Sequence, residues 1–312
     1  MYNNHTSELR FAGHETFTLK QLWLRKAVRF AQSALCAGGE PNFRDEGTIM
    51  QLGLGKNMVS SLRFWSVACG ILDPSSKLAP THEAELIFGE NDDQGLDPYM
   101  QSLTTSWFAH WKLCSDRSRL TTFWYLFNCV NNNLISREKL AEEVTEYAMS
   151  YGHKPSLNSI KRDVEVLFRS YLPQVSNKHQ GGETEDSAET LFGDLGLFHY
   201  SSQGVVELFR DVRSNLPTPL FFYTILDMWK NDERLSMMNT LDWYQIAYAE
   251  NSPGRVFKLS EAGLNDRLEQ ASELTGGLLV WTDQLGVKTL VRRTSDAKTL
   301  AVLKESLFKA SF

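Results

Sequence analysis

A histidine and a glutamate stand side by side near the start of the chain, in a segment flanked by aromatic residues. The segment runs from Phe11 to Phe17 and reads Phe-Ala-Gly-His-Glu-Thr-Phe. Imidazole and carboxylate groups transfer protons and bind metal ions. His14 and Glu15 are therefore candidate catalytic residues, Glu15 as a metal ligand or base and His14 as a proton carrier or ligand. The spacing is not that of a zincin, because Thr18 takes the place of the second histidine.

The same two residues also suit a structural role. Glu15 lies near a predicted helix start, where a carboxylate complements the helix dipole, and His14 can make a local hydrogen bond. Residue chemistry alone favours this structural interpretation.

Basic and polar residues follow a glycine turn at Gly53–Asn57, which reads Gly-Leu-Gly-Lys-Asn. The turn is not a Walker loop, because the first glycine and the Ser or Thr of that motif are missing. The helix predicted after it still offers backbone N–H groups to a phosphate. Lys and Arg suit phosphate or guanine, and Asn suits adenine. The alternative is a helix-turn-helix used for packing or protein contact. The predicted DNA-binding residues are Lys20, Lys56, Asn57, Ser60 and Arg63.

Asp97 opens an Asp-Pro-Tyr sequence and joins Glu15 as a candidate metal ligand. Carboxylate oxygens are common ligands of divalent cations. The alternative is an Asp-Pro turn beside a buried aromatic seam that contains Trp107 and Phe108. No familiar nuclease signature, zinc cluster or nucleotide-binding fingerprint accompanies these residues.

The elements that must position these residues are predicted to be mainly α with small β-hairpins. Apolar residues at helical spacing predict helices over Thr18–Leu35 and Glu46–Leu52, and another after the glycine turn. A hairpin-like turn at Asp73–Ser76 follows. The order of helix, short helix, glycine turn, helix and hairpin is typical of a winged helix-turn-helix.

A similar order recurs twice, which predicts tandem winged helix-turn-helix modules. Ser136 is a predicted N-cap, the stripe from Ile160 to Tyr171 is amphipathic, and a late hairpin pairs Leu278–Thr282 with Val287–Arg292. The predicted domains are an amino-terminal DNA-binding module at 1–95, a central module at 96–212 and a carboxy-terminal module at 213–312. The polar stretch 176–190 is predicted to be a mobile loop.

Composition defines the broad class of the chain. Its 312 residues are 42% hydrophobic and 22% charged, which is typical of a packed globular protein. No apolar run is long enough to span a bilayer, so we expect no membrane association. The four cysteines are widely spaced, which argues against a zinc ribbon or a disulfide framework and favours a cytoplasmic location.

Positive charge is concentrated at the amino-terminal end of the chain. The net charge is −6, yet residues 1–80 hold nine Lys and Arg against six Asp and Glu. Phosphate contacts supply most non-specific affinity for nucleic acid. An anionic polymer is therefore expected to dock on this part of the protein first.

Five segments taken together resemble a bacterial domain-of-unknown-function family whose genes lie beside DNA phosphorothioation genes. The similarity extends from Phe11 to Arg293, and the combination is more specific than any one segment. The segments are Phe11–Phe17, Leu52–Val59, Asp97–Tyr99, His110–Leu113 and Ser252–Phe257.

The resemblance implies a role in the Ssp system, which places sulfur in one strand of the DNA backbone in anti-phage defence. A family member in that system is a DNA nickase, so the resemblance implies binding of double-stranded DNA and nicking of one strand with a divalent metal, Mg²⁺. The implied protein partners are a cysteine desulfurase, an ATPase and a sulfurtransferase-like reductase. The sequence departs from the family pattern just after the Asp-Pro-Tyr motif, where Gln101 and Ser102 replace an expected acidic pair. If that pair binds the metal in the family, this chain lacks those two ligands.

Two other functions are open on the sequence. The first is a non-catalytic DNA-recognition scaffold that recruits the sulfur-transfer enzymes, because winged-helix folds usually bind DNA and rarely cut it. The second is protein–protein interaction through the acidic middle of the chain and its aromatic surface, which predicts no salt-sensitive DNA affinity.

Overall fold

The computed structural model describes residues 8–90, 94–172, 190–202, 204–284 and 286–312. The chain forms two compact units. The first unit is built from the described parts of 1–126 and 130–208, and the second from 127–129 and 209–312. The predicted mobile loop at 176–190 lies outside the described residues except for Thr190. The three-domain division expected from the sequence stays a prediction.

Helices dominate the first unit, and α6 continues from it into the second. Side-chain caps explain several of their starts, because Asp45, Ser102 and Ser136 each accept a hydrogen bond from a backbone N–H in the first turn. The helices are α1 Trp23–Cys36, α2 Glu46–Leu52, α3 Lys56–Ala68, α4 His82–Phe88, α5 Leu103–Cys114, α6 Thr121–Asn128, α7 Arg137–Ser150 and α8 Leu157–Tyr171.

The first helix begins five residues later than the sequence pattern predicts. Residues 19 and 20 are not helical: Lys20 forms an isolated bridge with Thr190, and the Leu19 carbonyl accepts the N–H of Leu191. Leu22 then adopts a left-handed conformation with φ 67° and precedes the first helical residue. Pairing with a distant part of the chain therefore overrides the local helical periodicity.

The second unit holds the remaining helices, and several of them are short. Pro253 stands in the first turn of α12, where its missing N–H costs no helical hydrogen bond. The helices are α9 Thr218–Asn231, α10 Glu233–Ser236, α11 Trp243–Tyr248, α12 Pro253–Val256, α13 Glu261–Leu268, α14 Ala271–Leu274 and α15 Ala297–Lys309.

Among the described residues, three small antiparallel sheets accompany these helices, so the mainly α prediction with small hairpins is confirmed. They are ordered β1-β2, β3-β5-β4 and β6-β8-β7. In the third sheet, Leu279 pairs with Arg292 and Gln284 with Val287. That the elements form winged helix-turn-helix modules stays a prediction. The strands are β1 Leu72–Asp73, β2 Ala79–Pro80, β3 Leu134–Ser136, β4 His199–Ser202, β5 Val205–Glu207, β6 Thr240–Asp242, β7 Leu279–Gln284 and β8 Val287–Arg292.

Large aromatic side chains fill the core of the first unit. Trp65 on α3 meets Phe123 on α6 edge-on, with ring centroids 5.7 Å apart. Tyr171 at the end of α8 stacks on Phe198 at 5.2 Å. Because such rings bury large apolar areas, they fix α3, α6 and α8 against one another. None of the helices in the described part of the chain is long and apolar enough to cross a membrane.

Candidate nucleic-acid interface

The outer face of α3 carries the residues that the sequence singles out for DNA contact. The chain enters α3 through Gly53, whose φ of 65° closes α2, and Gly55, which precedes the helix. Exposed and buried positions follow the helical period over the first two turns of α3, whereas every residue from Phe64 to Ala68 is buried. The structure leaves Lys56, Asn57 and Ser60 exposed and Arg63 half-buried.

Positive charge gathers along this face of α3. In the described part of the chain, neither Lys56 nor Arg63 forms an ion pair with an acidic residue. Burial, followed by repulsion from Arg63, lowers the pKa of the Arg10 guanidinium, while Glu8 opposes the shift. Arg10 lies over the Phe64 ring at 4.9 Å from its centroid. A bound phosphate would relieve the repulsion among these cations.

His14 does not share the exposure of α3, because its side chain is only 2% accessible. Its Nδ1 accepts the N–H of Thr16 at 3.1 Å, so the ring proton lies on Nε2. Nε2 then donates to Oδ1 of Asp163 at 2.9 Å. Both ring nitrogens are therefore engaged, and His14 ties its loop to α8.

Asp163 is the residue that the sequence analysis missed. Its carboxylate is fully buried and accepts the N–H of Ala12 at 3.1 and 3.2 Å and the hydroxyl of Thr122 at 3.1 Å, in addition to His14. Such a set of donors holds a buried carboxylate in place. The sequence carries a signal for it, since this acid interrupts the apolar stripe that begins at Ile160.

The loop at 11–17 packs against the inner face of α3. The Ser61 hydroxyl donates to the His14 carbonyl at 2.9 Å, and Trp65 Nε1 donates to the Phe17 carbonyl at 3.1 Å. Gly13 has φ 99°, and a Cβ there would lie 2.6 Å from the Phe64 ring. Only glycine fits this position, so the loop and α3 are positioned together.

Glu15 and the adjacent His14 lie in different environments. Glu15 is exposed at the loop tip with φ 48°, whereas the adjacent His14 side chain is buried. The two residues therefore do not form an acid–base pair. Lys20 is buried at 6% exposure and does not lie on the exposed face with Lys56.

Asp97 lies in the turn that precedes α5, and its carboxylate accepts hydrogen bonds from the residues that lead into that helix. Its carboxylate is 5% exposed and accepts the N–H groups of Gln101 at 2.7 Å and Ser102 at 3.2 Å, and the Thr105 hydroxyl at 2.5 Å. Within the ranges that the structure describes, no three His, Cys, Asp or Glu side chains are placed to share a metal ion. That Glu15 and Asp97 are metal ligands stays a prediction.

Two other segments of the sequence resemblance have structural roles. His110 is fully buried and its Nδ1 lies 2.6 Å from the Tyr171 hydroxyl. The Ser252 side chain caps α12 by accepting the N–H of Arg255. Gly254 follows, where a Cβ would lie 2.5 Å from the Ala247 carbonyl oxygen. These contacts join α5 to α8 and α12 to α11.

Comparison with known proteins places this geometry in a family. The family described as "Protein of unknown function (DUF4007)" matches residues 11–307. A structure described as "SspB crystal structure" aligns with a TM-score of 0.79 and 23% identity, over 97% of this chain and 88% of the other. A second, "Magnesium ion-bound SspB crystal structure", aligns with a TM-score of 0.80 and 25% identity over the same shares.

Among curated protein sequences, none matches this chain. The family match covers nearly the whole chain, and the similarity to the SspB structures extends over both units. The chain therefore belongs to the DUF4007 family of proteins.

Proposed function

We propose that this protein binds double-stranded DNA through the outer face of α3 and nicks one strand as part of a DNA phosphorothioation system. The observation that carries the proposal is the exposed cationic face of α3, with Lys56 and Arg63 unpaired with acids among the described residues and Arg10 beside them. Similarity to SspB supports the assignment to the Ssp system.

The physical basis of DNA binding is charge neutralisation. Each phosphate that a Lys or Arg side chain contacts releases a condensed counterion, so affinity falls steeply with salt. On a winged helix, α3 would be the recognition helix, with Asn57 and Ser60 near base edges and the two cations on phosphates. Lys20 is too buried to share this contact.

The proposed partners act before and after the cut. A cysteine desulfurase, an ATPase and a sulfurtransferase-like reductase would supply and insert sulfur where the nicked strand exposes its phosphate. Mg²⁺ is the metal to test, because one of the similar structures is described as magnesium ion-bound. Of the predicted catalytic residues, Glu15 is the exposed one.

A second candidate function is a non-catalytic DNA-recognition subunit that recruits those enzymes. A specific observation favours it. Both nitrogens of His14 and both oxygens of Asp97 are engaged in hydrogen bonds within the fold. In this arrangement the polar atoms of His14 and Asp97 stabilise the fold.

A plasmid assay distinguishes the two functions. Supercoiled DNA is incubated with the full chain and either Mg²⁺ or a chelator, and open-circular product is measured alongside a gel-shift titration. Nicking in Mg²⁺ that is lost in Glu15→Gln, but kept in the exposed control Glu250→Gln, supports the nickase. A gel shift without nicking supports the recognition subunit. The absence of both contradicts the proposal.

A further inference from the structure

Three tyrosines of the first unit form an aromatic patch at the end of α7. The Tyr147 ring, in the last turn of α7, has its centroid 4.9 Å from that of Tyr151 and 5.2 Å from that of Tyr125 on α6. Tyr125 and Tyr147 are half-buried, whereas Tyr151 is 49% exposed. We call these three residues the tyrosine patch. Aromatic rings that are packed on one side and wet on the other are enriched at binding surfaces.

One arginine contacts two members of the tyrosine patch. Arg117 Nη1 donates to the Tyr147 hydroxyl at 3.1 Å, and the guanidinium carbon lies 4.8 Å from the centroid of the Tyr151 ring. These contacts orient both rings and keep a positive charge beside them. Proteins that bind unpaired nucleic-acid bases combine aromatic rings, on which the bases stack, with arginines in the same way.

The turn that follows α7 is exposed, and backbone hydrogen bonds fix its conformation. The N–H groups of Tyr151 and His153 both donate to the Ala148 carbonyl, at 3.2 and 3.0 Å. Met149 is 57% exposed, and Lys154 is exposed as well. The turn therefore presents an aromatic ring, an apolar side chain and a lysine on a defined backbone.

Hydrogen bonds connect the tyrosine patch to α3. The Thr121 hydroxyl donates to the Arg117 carbonyl at 2.9 Å and accepts the N–H of Arg10 at 2.8 Å. The Arg10 guanidinium in turn lies over an aromatic ring of α3. Arg119, two residues after Arg117, donates to the Val67 carbonyl of α3 at 2.7 Å. The segment that carries Arg117 is therefore fixed directly against the helix proposed to bind duplex DNA.

Acidic residues on α7 keep the tyrosine patch from being purely cationic. Glu142 and Glu146 are exposed on the same helix as Tyr147, and Glu143 pairs with Lys139 at 3.8 Å. Attraction of phosphates therefore contributes less here than at α3, and stacking on the rings contributes more. Stacking of a base on an aromatic side chain is tolerant of sequence, because every base has an aromatic face.

We propose that the tyrosine patch binds an unpaired base of single-stranded DNA that continues from duplex DNA on α3. The base stacks on the exposed part of the Tyr151 ring, while Arg117 and Lys154 are the cations nearest to its phosphates. The inference rests on the proposed DNA binding and adds a contact of a different kind. A nicked strand supplies such bases, since its ends can separate from the duplex. The arginines of the same bonded network favour a polyanion over a protein on this surface.

Fluorescence anisotropy tests the proposal with a blunt duplex and with the same duplex carrying a single-stranded thymine tail of about ten nucleotides. We expect the tail to raise the affinity of the full chain about fivefold or more, and Tyr151→Ala to remove that gain. Tyr151→Trp keeps an aromatic ring and should keep the gain. The control Tyr200→Ala removes a tyrosine that is 65% exposed on β4 of the same unit, and should keep it too.

The salt dependence of binding separates stacking from charge. Tyr151 is uncharged, so Tyr151→Ala should weaken binding of the tailed duplex without changing the slope of log affinity against log salt. A tail that adds no affinity, or a gain that survives in Tyr151→Ala, would overturn the proposal. Equal loss in Tyr200→Ala would overturn it as well.

Photocrosslinking locates the base in the unaltered chain, so this measurement decides even if Tyr151→Ala does not fold. A 5-iododeoxyuridine in the tail is irradiated in the complex, and mass spectrometry of peptides identifies the crosslinked residue. We expect a crosslink to Tyr151. A bound tail that crosslinks only outside the tyrosine patch, or not at all, contradicts the proposal and is the result expected if the patch binds a protein instead.

Failure of this inference differs from failure of the proposed function. If the blunt duplex binds through Lys56 and Arg63 and the tail has no effect, the tyrosine patch is not a base-binding site and the proposed DNA binding stands. If neither the blunt nor the tailed duplex binds, both proposals are wrong.

Discussion

The Asp163 carboxylate joins three separate stretches of the first unit through hydrogen bonds. It accepts from Ala12 and His14 in the amino-terminal loop and from Thr122 on α6, while its own backbone lies in α8. A buried acceptor of this kind is costly to disturb, because each donor left without a partner keeps its desolvation penalty. At the scale of single residues, this carboxylate positions the loop that packs on α3.

Asp163→Asn should lower the free energy of unfolding by about 2–4 kcal/mol, since one amide hydrogen-bond donor must then face the existing donors. Chemical denaturation measures the loss. Glu165→Gln is the matched control on the same helix, because Glu165 is 49% exposed and makes only surface ion pairs. It should cost less than about 1 kcal/mol. Equal losses in the two variants would refute this role for Asp163.

Gly13→Ala tests the close approach between the loop and α3. The substitution combines an unfavourable φ of 99° with a Cβ 2.6 Å from the Phe64 ring. Gly38→Ala shares the positive φ, at 78°, but meets nothing within 4 Å. We expect Gly13→Ala to cost about 2 kcal/mol or more and Gly38→Ala about 1 kcal/mol. Thermal unfolding compares them, and the opposite order would contradict the described packing.

At the scale of elements, each face of α3 has a separate task. The inner face binds the loop through Ser61 and Trp65, and the outer face presents Lys56 and Arg63. Ser102 caps α5, and the Asp97 carboxylate holds the turn before that helix through Gln101, Ser102 and Thr105. Removing a structural hydrogen-bond acceptor lowers the stability of the fold, whereas removing a metal ligand abolishes the response to the metal.

Asp97→Ala should lower the free energy of unfolding by about 1–2 kcal/mol, because two backbone N–H groups and a hydroxyl lose their acceptor. The shift in melting temperature that Mg²⁺ causes should be the same in the variant and the unaltered chain. A variant that keeps its stability but loses the response to Mg²⁺ would show that Asp97 is a metal ligand after all.

The sequence predicted those elements whose turns and caps are formed by residues close together in the chain. The glycine turn before α3, the Ser136 cap of α7 and the hairpin of β7 and β8 all depend on residues close in sequence. The local hydrogen bond predicted for His14 is present, from the Thr16 N–H to Nδ1. The start of α1 and the second partner of His14 did not follow, because Thr190 and Asp163 act on them from far along the chain. Periodicity and residue chemistry cannot reveal such partners.

At the scale of the whole molecule, charge is distributed unevenly although the net charge is −6. On α3 in the first unit Lys56 is exposed and Arg63 is half-buried, whereas in the second unit Lys258 and Arg213 are buried and Arg210 and Arg255 are half-buried. Buried cations affect folding because the unfolded chain keeps their protons more readily. The stability of the protein should therefore depend on pH through this cluster.

Lys258 sets the pH range over which the stability of the protein should change. Its pKa in the fold is about 7, below the ordinary value of 10.5, so between these two pH values the unfolded chain binds a proton that the folded chain has released. Its contribution to stability therefore rises with pH across this window. Lys258→Met should flatten the rise in urea denaturations between pH 7 and 10, and Lys298→Met should not. A rise of equal size in both variants would contradict this explanation.

The salt dependence of duplex binding shows whether the outer face of α3 contacts DNA phosphates. Lys56→Ala/Arg63→Ala should weaken binding and reduce the slope of log affinity against log salt by about 1.8, at about 0.9 per lost contact. The control Arg234→Ala/Lys298→Ala removes the same charge from exposed positions of the second unit. We expect a reduced slope in Lys56→Ala/Arg63→Ala alone. A slope that is unchanged in Lys56→Ala/Arg63→Ala, or reduced equally in both variants, would contradict it.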